Sequence, residues 1–84
     1  MANEIVKIGE VSKQERNGIF VYYFNTTILE CNPFENNYRQ ITPNRGFNEA
    51  VAFADITDKL GASNIEEYCD QLALQGLMNN KAPQ

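Results

Sequence analysis

The stretch from Ile19 to Cys31 constrains the fold more than any other part of the chain. It reads IFVYYFNTTILEC, and most of its residues are β-branched or aromatic. Such residues fit the pleated surface of a β-strand. The dipeptide Asn17-Gly18 stands directly before it and supplies the positive φ angles of a tight hairpin turn. The sequence therefore predicts a long strand that is entered from a hairpin.

The predicted partner of this strand lies in residues 4–12. The segment contains four apolar residues, but their alternation is imperfect and Gly9 interrupts it. A glycine inside a strand marks a bulge or a close backbone approach. Pairing residues 4–12 with residues 18–26 gives an antiparallel hairpin.

The long strand is apolar on both faces at its beginning. One face carries Phe20, Tyr22 and Phe24, and the other carries Ile19, Val21 and Tyr23. Thirteen extended residues would span roughly 43 Å, well beyond the usual strand. We therefore expect a bend or bulge near Asn25, or a ribbon that projects towards a neighbouring subunit.

Two prolines delimit the next segments, because proline cannot donate to a strand ladder. Asn32-Pro33 is predicted to end the long strand, and Pro43 to close a short strand over Tyr38–Thr42. Residues 44–46 have turn chemistry. Residues 50–54 fit either a helix or a last strand, and the strand is favoured because a two-stranded ribbon needs further partners.

The C-terminal third is predicted to hold two helices. Asp55 can cap a short helix that runs to Leu60, and Gly61 can end it. Ser63 and Glu66 have the spacing of a capping box at the start of the second helix. The apolar stripe of that helix follows helical periodicity and comprises Ile65, Tyr68, Cys69, Leu72 and Ala73.

Gly76 is well placed to stop the second helix, with Leu77 folding back on Leu72. The predicted fold is a single α+β domain over residues 1–84. Residues 1–54 are mainly β, residues 55–78 are helical and residues 79–84 form a flexible tail. The long hairpin belongs to a small antiparallel sheet of three to four strands, and both helices pack on one of its faces.

Charge and composition disfavour several functions. Residues 1–45 carry five basic and five acidic side chains, whereas residues 46–84 carry two basic and six acidic ones. The acidic half would repel a phosphate backbone, which argues against nucleic acid as a partner. The chain has no histidine, which removes the commonest general base and transition-metal ligand. With no phosphate-binding loop or nucleophile motif, we expect no enzyme, no cofactor and no metal.

Two groups of carboxylates are candidate sites. Asp55 and Asp58 could bind a cation with Glu66 or Asp70, but capping a helix explains them better. Glu30 and Glu35 flank a turn and could form a glycosidase pair, yet nothing in the sequence fixes their separation.

The two cysteines, Cys31 and Cys69, lie far apart in the sequence. They could pair, but nothing else indicates a secreted disulfide scaffold. Cys69, on the apolar helix face, is interpreted as a small core residue. Whether Cys31 is reactive stays open.

The sequence shows neither a signal peptide nor a stretch of about 20 apolar residues. We therefore expect no membrane span and a cytoplasmic protein, or a virion protein if the chain is phage-borne.

The run from Phe53 to Gly76, FADITDKLGASNIEEYCDQLALQG, resembles the closing segment of small proteins of bacteriophage structural gene clusters. The shared pattern is a short helix, a glycine stop and a capped helix that ends in glycine and an apolar residue. The resemblance covers under a third of the chain. It implies a non-enzymatic role in the virion or its assembly.

These observations lead to a functional hypothesis. A chain of 84 residues has a thin stability margin of its own and often gains stability by association. We expect a small structural or assembly protein that contacts itself or another protein. The predicted interface residues are Ile19, Phe20, Val21, Tyr22, Tyr23, Phe24, Leu74 and Met78. The alternative is a small acidic regulatory or inhibitor module, whose contacts would be Asp55, Asp58, Glu66, Glu67 and Asp70.

Overall fold

The computed structural model describes residues 4–43, 46–76 and 78. The strands are β1 (Ile5–Ile8), β2 (Val11–Arg16), β3 (Ile19–Phe24), β4 (Thr27–Asn32), β5 (Asn37–Thr42), β6 (Gly46–Phe47) and β7 (Val51–Ala52), and the helix is α1 (Ile65–Leu74). Strands β1 to β5 form an antiparallel meander in chain order, and the short β6 and β7 both pair with β5.

The α+β class is therefore confirmed, with an open sheet of six strand positions and one helix against it. The prediction of three to four strands and two helices is wrong. The sheet is larger because two segments that each looked like one strand are both divided by a turn.

Turns divide the predicted strands of the N-terminal half. Asn17-Gly18 joins β2 to β3 with φ angles of 53° and 84°, as predicted. A Cβ on Gly18 would also lie 2.7 Å from Cζ of Phe34, so the exposed Phe34 ring would have to shift. Gly9, with φ of 62°, makes a turn between β1 and β2 instead of a bulge within one strand.

The predicted strand over Ile19–Cys31 is divided at Asn25. This residue has a φ of 55° and begins the turn between β3 and β4. Asparagine adopts this left-handed conformation more readily than most residues. The expected change of direction at Asn25 is thus present, but it is a complete reversal, and no ribbon projects from the sheet here.

The predicted strand ends near both prolines are confirmed. β4 ends at Asn32, whose Oδ1 accepts hydrogen bonds from the N–H groups of Phe34 (3.0 Å) and Glu35 (3.1 Å). This asparagine turn leads into β5 over Asn37–Thr42. The predicted turn over residues 44–46 falls mostly outside the described residues.

The ambiguous residues 50–54 are divided between the two alternatives. Val51 and Ala52 form β7, and a 3₁₀ turn over Phe53–Asp55 follows directly. The short helix predicted from Asp55 to Leu60 is wrong. Ile56 follows the turn with an extended backbone and is buried, which interrupts helical geometry there.

A second 3₁₀ turn, Lys59–Gly61, has left-handed φ angles of 52°, 42° and 74°. Left-handed geometry costs an ordinary residue about 1–2 kcal/mol. Leu60 packs against the core, and Lys59 Nζ lies 4.9 Å from the ring centroid of Phe53. These contacts stabilise the strained turn.

Helix α1 begins one residue later than predicted. Its N-cap is Asn64, whose Oδ1 accepts from the Glu67 N–H at 2.9 Å. In return, Glu67 Oε1 accepts from the Ser63 N–H at 2.9 Å. The prediction of Ser63 and Glu66 as the capping box is therefore wrong, because serine and asparagine are equally good caps. Gly76, with φ of 74°, follows the C-cap Gln75 as predicted.

The cap assignment gives a testable prediction. Replacing Asn64 with alanine should lower the free energy of unfolding by about 1 kcal/mol, because the Glu67 N–H loses its acceptor. Ser63→Ala is the matched control and should change stability by less than about 0.5 kcal/mol, since its backbone makes the contact. Urea denaturation followed by circular dichroism measures both. An equal or larger loss for Ser63→Ala would contradict the assignment.

The core lies between α1 and one face of the sheet, which we call the inner face. Its buried residues are Val11, Tyr22, Leu29, Cys31, Ile56, Ile65, Tyr68, Cys69, Ala73 and Met78. Tyr38 on β5 stacks against Tyr68 on α1 with ring centroids 5.8 Å apart. Leu77 and the predicted tail over residues 79–84 lie outside the described residues.

Candidate protein-contact surface

The opposite face of the sheet, the outer face, is defined by two rows of paired residues. Strand register aligns Ile5, Gln14, Val21, Glu30 and Arg39 in the first row. It aligns Lys7, Ser12, Tyr23, Ile28 and Ile41 in the second row. Neighbouring strands lie about 4.8 Å apart, so each row spans roughly 19 Å.

The centre of the outer face is apolar and most residues around it are polar, although Ile5 at the end of the first row is apolar too. Tyr23, Ile28 and Ile41 are consecutive in one row, and Val21 lies beside them in the other. Next to Val21, Arg39 Nε donates to Glu30 Oε1 at 3.0 Å. An apolar centre with a polar rim is the usual composition of a protein interface.

Nothing in the described core covers this surface. No outer-face residue belongs to the core cluster or to the apolar residues packed against it. Ile5 is 62% exposed and Tyr23 is 37% exposed, while Val21, Ile28 and Ile41 are half-buried by their strand neighbours. The sheet thus has one face closed by its own helix and one face without a helix among residues 4–43, 46–76 and 78.

The inner face is closed by a polar clamp between Lys13, Tyr22, Glu66 and Asp70. Lys13 Nζ donates to Glu66 Oε2 at 2.8 Å and to Asp70 Oδ1 at 2.9 Å. The Tyr22 hydroxyl donates to the same Asp70 oxygen at 2.5 Å. These contacts join β2 and β3 to α1 on the inner face.

The clamp shifts the pKa values of its members. Burial raises the pKa of Tyr22 far above its ordinary value, and the hydrogen bond to Asp70 raises it further. For Lys13, burial lowers the pKa, but hydrogen bonds and charge attraction from Glu66 and Asp70 outweigh it and leave it raised. Both shifts favour the protonated forms, which are the forms that donate to Asp70.

The predicted interface residues are separated by the fold. Tyr22 and Met78 are 0% and 1% exposed, so they are core residues and not surface residues. The inner-face residues Phe20 and Phe24 pack against the core, as cross-strand neighbours of Cys31 and Thr27. These four side chains therefore do not form a free surface.

The remaining four predicted residues lie towards solvent. Ile19, Val21 and Tyr23 belong to the outer face of β3, and Leu74 is 60% exposed on α1. The prediction recognised the two apolar faces of β3 but could not tell which one the helix covers. It missed Ile28 and Ile41. Both are apolar residues that pair with each other and, through Ile28, with Tyr23. They can be assigned to the outer face only once the chain is known to reverse at Asn25.

The two candidate groups of carboxylates have other roles in the fold. Glu30 and Glu35 line one surface hollow, but Glu30 is paired with Arg39. Glu66 and Asp70 bind Lys13, while Asp55 and Asp58 are exposed and make no side-chain cap. Within the described part of the chain, no three potential metal ligands are grouped.

Comparisons with known proteins give no relative for this chain. No family model matches it, and neither a curated protein nor a solved structure shows significant similarity. Among the helices that the structure describes, none has the length and apolar character needed to cross a membrane.

Proposed function

We propose that this chain is a non-enzymatic structural or assembly protein whose outer face binds a second copy of the chain. The observation that carries the proposal is the apolar centre of that face, which lies opposite the face covered by α1. With the resemblance of residues 53–76 to small phage structural-cluster proteins, the setting would be a virion or its assembly in the cytoplasm.

Shape and size support a sheet-to-sheet contact. Two sheets can pack face to face about 10 Å apart, with side chains of both faces interdigitating. Val21, Tyr23, Ile28 and Ile41 supply the apolar centre of such a contact. A small chain gains most from such burial, because its own core is limited.

Charge supports a second copy as the partner. The outer face belongs to residues 5–41, within the half of the chain that has no net charge. The net charge of −4 comes from residues 46–84, and α1 with its acidic residues lies on the other side of the sheet. Two copies that meet through their outer faces keep these acidic surfaces apart, so long-range repulsion is small.

The alternative, an acidic inhibitor module, has weaker support. Two of its five proposed contact residues, Glu66 and Asp70, are bound to Lys13 within the chain. A third, Glu67, accepts a hydrogen bond from the Ser63 backbone. The remaining two, Asp55 and Asp58, are exposed but make only a small charged surface for recognition.

Self-association through the outer face is tested with the double variant Val21→Lys/Ile28→Lys. We expect the wild-type chain to associate in sedimentation equilibrium as its concentration rises. The variant should weaken association by at least about tenfold, because lysines would be buried in the apolar centre. The lysine introduced in place of Val21 would lie opposite Glu30 in the sheet, so the monomer should tolerate it.

Leu74→Lys is the matched control, because Leu74 is an exposed apolar residue on α1 and not on the sheet. It should leave association unchanged, and circular dichroism should show that all variants fold. A wild-type chain that stays monomeric at every concentration would overturn the proposal. Loss of association in the Leu74 variant alone would place the contact on the helix and also overturn it.

A further inference from the structure

The two cysteines of the chain meet in the core although 37 residues separate them in the sequence. Cys31 lies on the inner face of β4, and Cys69 lies on the buried stripe of α1. Both are free thiols with 0% exposed surface. Both side chains belong to the buried core cluster, where α1 packs against β4, and a side-chain hydrogen bond between them is the first cause of the raised Cys69 pKa.

We propose that Cys31 and Cys69 are a disulfide-forming pair that cross-links α1 to β4 when a small-molecule disulfide oxidises them. The bond would join the only described helix to a central strand of the sheet. It would close a loop that contains β5, β6, β7 and both 3₁₀ turns. The modification site is independent of the outer face.

The reaction is an ordinary thiol–disulfide exchange. The thiolate of one cysteine attacks a sulfur of the oxidant and displaces one small thiolate, which leaves a mixed disulfide. The thiolate of the second cysteine then attacks the protein sulfur and displaces the second small thiolate. One S–S bond is lost and one is formed. The two thiol protons pass to solvent or to the released thiolates, and the oxidant gains two electrons.

Burial makes the pair slow to react. The hydrogen bond to Cys31 raises the pKa of Cys69, and burial raises it further, so little thiolate forms in the closed structure. Because neither sulfur is exposed, the oxidant can reach them only when α1 moves away from the sheet. Oxidation therefore occurs through opening of the fold and holds the helix in place afterwards.

The full chain, incubated with oxidised glutathione at neutral pH, provides the test. Thiols counted after denaturation should fall from two to none. The intact mass should fall by two hydrogen atoms without a glutathione adduct, and the chain should stay uncrosslinked to other copies. The melting temperature should rise by on the order of 10 °C, because the cross-link restricts the unfolded chain, and a reductant should reverse the rise.

The variants Cys31→Ala and Cys69→Ala are the controls, and the same treatment should leave their melting temperatures unchanged. If a variant does not fold, the wild-type chain supplies a second measurement. Its disulfide is formed in denaturant, and refolding should restore the native circular dichroism with the higher melting temperature. The proposal is overturned if oxidation lowers that temperature, if it gives only adducts or dimers, or if the oxidised chain cannot refold.

Discussion

Replacing Tyr22 with alanine is expected to lower the free energy of unfolding by about 3–5 kcal/mol, which is the usual cost of removing a buried aromatic side chain. Tyr22 is fully buried on the inner face, and its hydroxyl donates to Asp70. A chain of 84 residues has a stability of roughly 4–13 kcal/mol in total. The variant should therefore lose a large part of the stability of the chain.

The variant Tyr22→Phe separates the ring from the hydroxyl. It keeps the buried ring but loses the 2.5 Å hydrogen bond to Asp70, so it should cost about 1–2 kcal/mol. Urea denaturation followed by circular dichroism measures both variants. If Tyr22→Ala cost no more than Tyr22→Phe, the ring would contribute little and the core would not be organised around it.

Removing Asp70 is the second substitution with a large expected effect. Asp70→Ala should lower the free energy of unfolding by about 2–3 kcal/mol, because its Oδ1 accepts from both Lys13 and Tyr22. The value is below that of a fully buried pair, since the Asp70 side chain is 30% exposed. Tyr22 would keep only a 3.4 Å contact with the backbone oxygen of Glu66.

The matched control is Asp55→Ala, which removes an exposed carboxylate outside the clamp and should change stability by less than about 0.5 kcal/mol. Combining Asp70→Ala with Tyr22→Phe completes a double-mutant cycle. The two costs should be less than additive by about 1 kcal/mol, because both remove the same hydrogen bond. Additive costs would mean that the two side chains act independently.

Tertiary contacts decide which of the two faces of β3 becomes buried. Phe20 and Phe24 on one face and Ile19 and Val21 on the other are equally apolar in the sequence. The helix covers the face on which Lys13 can reach the carboxylates of α1. Lys13 and Asp70 are 57 positions apart in the sequence, so no local sequence pattern predicts their contact.

Local chemistry was predicted well wherever a few neighbouring residues decide the structure. The Asn17-Gly18 turn, strand β5 between two prolines and the Gly76 helix end all follow from backbone preferences within a few positions. The Asn25 turn was recognised only as a bend. Asparagine permits a reversal there but does not require it, and the reversal becomes stable only when β4 finds its place between β3 and β5.

The amino-acid sequence by itself determined an α+β chain with a hairpin-rich first half and an amphipathic helix near its end. Only the tertiary structure decided that β3 and β4 are separate strands, that Tyr22 lies inside while Val21 lies outside, and that Cys31 meets Cys69. The physical reason is the distance along the chain over which each kind of interaction acts. Turn and helix signals act between residues close in sequence, whereas burial depends on strand register and on charged pairs far apart along the chain.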